Sequence, residues 1–176
     1  MSGHNKWSQI KNKKGAEDAK KSKIFSRYSK LITSESKKAN GNLSSPSLAA
    51  VIELAKRENM PKDTIERAVK KGTESGTANM EAITYETYGP GGVAIIIETL
   101  TDNKNRTAPE IRHLLTKNGF ELAQPGAASW AFKKEGGKLV AQTTVDLSDA
   151  DLELLTKLVD DLEAFEDVQE VFTNAE

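Results

Sequence analysis

Gly89-Pro90-Gly91-Gly92-Val93-Ala94-Ile95-Ile96-Ile97-Glu98-Thr99-Leu100 is the stretch on which the fold turns. The Gly/Pro cluster reads as a turn. The Ile-rich run behind it has the length and β-branching of a buried strand. Downstream, Thr107-Ala108-Pro109-Glu110 has the Thr-x-x-Glu spacing of a capping box with Pro in the first turn. The helix it opens buries Ile111, Leu114 and Leu115 and stops at Gly119. From Ala127 to Lys133, Trp130 and Phe132 alternate with Ser129, Ala131 and Lys133, as in a half-buried strand. Gly136-Gly137 turns the chain into a strand over Lys138–Val145. Ser148-x-x-Asp151 starts another helix, with Leu152, Leu155, Leu158, Val159 and Leu162 inward, and Val168–Thr173 closes as a strand. From Val93 the order is β-α-β-β-α-β, the ferredoxin-like split βαβ pattern. A short aromatic strand, Ile83–Tyr88, extends that sheet.

Upstream the periodicity is helical. Residues 1–15 read as a basic arm. A helix follows from Ala16 to about Ala39, where Phe25, Tyr28 and Ile32 share one stripe and Asn40-Gly41-Asn42 stops it. A second helix runs from Pro46 to Glu58. Pro61 opens a third, with Ile65, Ala68 and Val69 inward. The small, polar stretch Gly72–Met80 reads as a boundary. The expectation is an α+β chain of two domains: a basic three-helix unit with its arm over 1–76, and an acidic ferredoxin-like unit over 77–176.

Composition narrows the function. The chain has 176 residues and no cysteine, so disulfides and thiolate metal sites are excluded. The first residues lack the apolar core of a secretory signal, and no apolar run reaches membrane-spanning length, so no membrane partner is expected. The net charge of −1 hides a partition. Residues 1–72 carry 17 Lys+Arg against 7 Asp+Glu, and residues 73–176 carry 8 against 19. Such asymmetry points to a polyanion partner for the basic half, or to mutual neutralisation of the halves.

The densest basic stretch, residues 1–38, holds 11 Lys+Arg against 3 acids. Lys6, Lys11, Lys13, Lys14, Lys20, Lys21, Lys23 and Arg27 are candidate phosphate contacts. Trp7 is a candidate base-stacking ring. Phe25 and Tyr28 are of the same type, but their helical spacing is that of core residues. A second candidate is the loop of Asn103, Lys104, Asn105 and Arg106, placed where a helix N-terminus favours an anion. It reads equally as an ordinary polar loop. Gly89-Pro90-Gly91-Gly92 lacks the Lys-Ser/Thr of a phosphate-binding loop. Two separated histidines, His4 and His113, make no metal set. Catalysis is represented only by a faint echo of acylphosphatases in Asn103 and Arg106. The chain therefore reads as a binding protein rather than an enzyme, with no cofactor expected. A rival reading is a protein-interaction module using the acidic C-terminal face.

Gly3-His4-Asn5-Lys6-Trp7, Asn59-Met60-Pro61-Lys62-Asp63, Ile65-Glu66-Arg67-Ala68, Tyr88-Gly89-Pro90-Gly91-Gly92 and Leu100-Thr101-Asp102-Asn103-Lys104-Asn105-Arg106-Thr107 occur in one order along nearly the whole chain. Together they closely resemble the YebC family. The resemblance implies a cytoplasmic regulator of gene expression. Its partner is nucleic acid: DNA for a transcriptional regulator, or ribosomal RNA and the ribosome for a translational activator. Most members carry a third domain inserted after the Trp-x-Phe strand. Here Trp130-Ala131-Phe132 runs through Gly136-Gly137 straight to Val145-Asp146-Leu147, which reads as a hairpin in place of that insertion.

Overall fold

The structure, a computed structural model, describes residues 6–13 and 17–176; the side chains of 12, 13 and 17 lie outside the description. The described chain forms α1 (Lys6–Lys13), α2 (Glu17–Lys38), α3 (Pro46–Arg57) and α4 (Lys62–Thr73). Then come β1 (Glu81–Tyr88), β2 (Ala94–Thr101), α5 (Lys104–Lys117), β3 (Leu122–Ala123), β4 (Phe132–Glu135), β5 (Lys138–Ala141), α6 (Asp149–Ala164) and β6 (Val168–Thr173). The chain divides into two compact units, one of residues 15–81 and one joining α1 to residues 82–176. None of the described helices is long and apolar enough to cross a membrane.

In the helical unit, Tyr28 and Ile32 of α2 pack with Leu48 and Ala55 of α3, Met60, and Ile65 and Ala68 of α4. Asn40 and Gly41 take positive φ, of 50° and 74°, and the Gly41 amide donates back to the Ser36 carbonyl, which ends α2. Close approach of α2 and α4 rests on small residues. Ser36 Oγ donates to the Val69 carbonyl at 2.7 Å and Thr33 Oγ1 lies 3.2 Å from the Ala68 carbonyl. A Cβ on Gly72 would meet both Ser36 Cβ and the Thr33 carbonyl oxygen at 2.6 Å. Alanine favours a helix over glycine by about 1 kcal/mol, yet here the clash is with backbone. Gly72→Ala is therefore expected to destabilise the helical unit by about 1–3 kcal/mol, the usual cost of overpacking. Chemical denaturation followed by helix ellipticity measures it, and a stabilised variant would show that α2 and α4 have room to spare.

The other unit is built on a four-stranded sheet of order β3-β1-β2-β6, with β4 and β5 paired as a separate antiparallel hairpin. The α+β class, the helical first part and the antiparallel sheet with its helices are as expected from sequence. The strand order is not. β1 does not merely extend the sheet but lies inside it, beside β2. The Ala127–Lys133 segment is no sheet strand: it forms a 3-10 turn at Ser129–Ala131 that leads into the hairpin. Both faces of β2 are covered, which is why its Ile run is continuous rather than alternating. Val93, Ile95 and Ile97 join Ile111 and Leu115 of α5 and the leucines of α6. On the opposite face Ala94 and Ile96 meet Ala128, Ala131 and Phe132. The β2–β6 register keeps the alternation, with Ile97 opposite Val171 and Ile96 opposite Phe172.

The expected basic arm is helical over Lys6–Lys13 and belongs with the sheet unit, not with the three-helix unit. The reason is apolar: Trp7 is buried in the sheet unit's core and Ile10 packs beside it. One carboxylate pins the far face. Glu86 of β1, only 8% exposed, accepts from the amides of Gly126, Ala128 and Ser129 at 2.8, 2.7 and 2.9 Å. Burial alone would raise its pKa; the three amide donors outweigh burial and hold it below the ordinary glutamate value.

Candidate nucleic-acid interface

α2 is the most basic element described. Lys20, Lys23, Arg27 and Lys30 are spaced by three, four and three residues, so they form one row along the helix. By helical spacing the row is turned from Tyr28, Ile32 and Ser36, which α2 buries, and its four side chains are half-buried. It runs about 15 Å at the usual helical rise. Lys21 is exposed off the row. Arg27 stacks its guanidinium over the Tyr28 ring, 5.2 Å from the centroid, which fixes the charge in orientation. Tyr28 is buried and Phe25 packs against the same core, so the core reading of both rings holds. Lys30 continues the row although the candidate set stopped at Arg27; its position three residues on was the available signal. Farther along, Lys37 is committed elsewhere, donating to the Thr77 carbonyl.

On α1, Lys6 and Lys11 are exposed, and Lys6 lies 3.5 Å from Asp149 across solvent-exposed side chains. The Lys13 side chain and Lys14 lie outside the described residues. Trp7 is corrected: it is 8% exposed within the hydrophobic core. A ring whose faces are packed cannot stack a base.

The loop before α5 also differs from the expected anion site. The helix begins at Lys104, and its cap is Asn103, whose side chain accepts from the Asn105 amide at 3.1 Å. Thr107 is therefore inside the helix rather than capping it. Its hydroxyl points inward, 2.8 Å from both Thr101 Oγ1 and Asp167 Oδ2. Asp167 is fully buried. Arg106 reaches the same carboxylate, with Nη2 donating to Oδ2 at 3.0 Å, and it also donates to Asp102 Oδ1 at 2.9 Å. The hydrogen bond and charge of Asp167, then those of Asp102, raise the Arg106 pKa above its ordinary value. The anion that the loop was expected to attract is thus supplied by the protein's own carboxylates. Lys104 and Asn105 are exposed at the first turn. Asn103 and Arg106, the pair echoing acyl-phosphate chemistry, serve as a helix cap and as the partner of a buried acid.

Comparison with known proteins places this architecture. Residues 5–75 match the TACO1/YebC protein N-terminal domain, and residues 80–138 match the TACO1/YebC second and third domain. A "Probable transcriptional regulatory protein" of Fervidobacterium nodosum is 47% identical over 172 residues, covering 97% of this chain and 66% of that protein. One of Desulfatibacillum aliphaticivorans is 48% identical over 176 residues, covering 98% of this chain and 71% of that protein. The chain thus spans about two thirds of the length of the curated relatives it matches. Among solved structures, the crystal structure of a conserved hypothetical protein Aq1575 from Aquifex aeolicus superposes with a TM-score of 0.80 at 30% identity, covering 97% of this chain and 96% of that one. With both of its parts matched in order and such relatives along its length, the chain belongs to the TACO1/YebC family.

Proposed function

We propose that this chain is a cytoplasmic, nucleic-acid-binding regulator of gene expression that makes its main phosphate contacts through α2. The observation that carries the reading is the line of Lys20, Lys23, Arg27 and Lys30, half-buried along a helix that packs Tyr28 and Ile32 into the core. The excess of 17 Lys+Arg over 7 acids in residues 1–72 and the "transcriptional regulatory protein" name of the relatives support it. Phosphate contacts of this kind release counterions and carry no sequence information, so they suit DNA and ribosomal RNA alike.

With about five contacts, the plot of log affinity against log salt on duplex DNA is expected to slope near −4 to −5. Replacing Lys20, Lys23, Arg27 and Lys30 together by Ala should flatten the slope by about 3 to 4 and weaken all sequences equally. Helix ellipticity checks that the unit still folds. An unchanged slope in a folded variant would remove α2 as the contact. Crosslinking in cells followed by sequencing of bound DNA and RNA then separates a transcriptional from a ribosomal role. Recovery of protein partners alone would instead favour the interaction module.

A further inference from the structure

Trp130 is one of two tryptophans in the chain and is 54% exposed. It is not loosely tethered. Its indole Nε1 lies 2.7 Å from the Tyr88 hydroxyl and 3.0 Å from the Ala127 carbonyl oxygen. The Tyr88 hydroxyl itself donates to the Ala127 carbonyl, and the Gln142 side-chain amide donates to the carbonyl of Trp130. Just upstream, Glu86 holds the amides of Gly126, Ala128 and Ser129. Ala128 before the turn and Ala131 at its end are fully buried. The polar edge of the indole is therefore satisfied from within, and what it offers to solvent is apolar ring on a fixed base. A ring held in this way loses little freedom when a ligand stacks on it.

The hairpin that this turn leads into carries charge. Phe132 and Ala141 pair and face the sheet. By the two-residue alternation, the Lys133–Val140 and Glu135–Lys138 pairs lie on the outward face. Lys133, Lys134 and Lys138 are all exposed, as is Val140. Lys133 is paired with Glu135 at 2.6 Å. Residues 82–176 carry 8 Lys+Arg against 17 acids, and three of those eight cations fall within Lys133–Lys138 of this hairpin. An exposed aromatic at the foot of a hairpin that bears three cations, on an otherwise acidic unit, matches the chemistry of an unstacked base with its flanking phosphates.

We infer that Trp130 and the outward lysines of the β4–β5 hairpin form a stacking site for an unpaired nucleobase of single-stranded nucleic acid, with Lys133 and Lys138 meeting the adjacent phosphates. This rests on the reading of the chain as a nucleic-acid binder. It goes beyond it by assigning a single-strand site to the sheet unit, distinct from the duplex-competent row on α2.

The test uses the full chain carrying Trp7→Phe, in which Trp130 is the sole tryptophan emitter. A uridine octamer is expected to quench that emission saturably, and an abasic octamer of equal phosphate count is not. Trp130→Ala should lower affinity for the uridine octamer by about 10-fold to 100-fold, leaving duplex DNA affinity within about twofold. If Trp130→Ala fails to fold, Trp130→Phe replaces it: the retained ring should keep octamer affinity within a few-fold. Lys133→Ser with Lys138→Ser should flatten the single-strand salt slope by about 1.4. Equal quenching by both octamers, or none by either, overturns the stacking site. If replacing the α2 row abolishes duplex binding while Trp130 senses no base, only the stacking site falls. If the octamer quenches Trp130 and the α2 replacement changes nothing, the α2 reading falls and the stacking site stands.

Discussion

Glu86→Ala is expected to destabilise the sheet unit by about 3 kcal/mol. Three backbone amides lose their acceptor, and each buried unpaired donor costs about 1–3 kcal/mol. Ala128 is fully buried, so its amide bears the full penalty. Gly126 and Ser129 are exposed, so water can replace part of theirs. Both tryptophans belong to this unit, which makes tryptophan emission during urea denaturation a readout of the sheet unit alone. The pH dependence follows from the direction of the shift. The folded pKa of Glu86 lies below its unfolded value, so its contribution is fully present above the unfolded pKa. That contribution is lost as pH falls through the folded pKa. Glu86→Gln keeps an acceptor but no charge, so its deficit against the wild type should be constant at neutral pH and shrink in acid. A deficit that grows on acidification would mean that the amides do not stabilise the charged form.

The failures of the sequence reading share one cause, which is distance along the chain. α3 and α4 were legible because Pro46 and Pro61 and the apolar period are local signals. β6 was legible for the same reason. α1 was missed because its only apolar residues, Trp7 and Ile10, sit among lysines, and the α6 surface that completes their burial lies some 140 residues on. Thr107-x-x-Glu110 imitated a capping box, but Asn103 closes its own turn first, and Asp167 draws the threonine hydroxyl inward from 60 residues away. Trp130 and Phe132 fit the alternation of a half-buried strand. Glu86 instead gathers the backbone of residues 126–129 into a turn, burying Ala131 and leaving Trp130 outside. At the candidate interface, the row on α2 was readable as helical spacing. The commitment of Arg106 was not, because its partner is 61 residues distant.

That commitment sets the second large effect. Arg106→Ala is expected to destabilise the sheet unit strongly and to leave nucleic-acid affinity within about twofold. An anion contact would do the reverse. Asp167 is fully buried and the Arg106 guanidinium answers its charge. Removing that cation leaves a buried carboxylate without its guanidinium, whereas removing both partners does not. Asp167→Ala alone should cost about 2–3 kcal/mol, because it leaves the buried Thr101 and Thr107 hydroxyls with fewer partners while the half-exposed Arg106 rehydrates. The double variant Arg106→Ala with Asp167→Leu should then be more stable than Arg106→Ala alone. Urea midpoints read by tryptophan emission decide the order. If Arg106→Ala keeps the wild-type midpoint but loses affinity tenfold or more, Arg106 is a ligand contact and its pairing with Asp167 is incidental. The cap offers an internal standard. Asn103→Ala removes one amide acceptor at an exposed helix start, and should cost about 1 kcal/mol, less than either change at the buried acid.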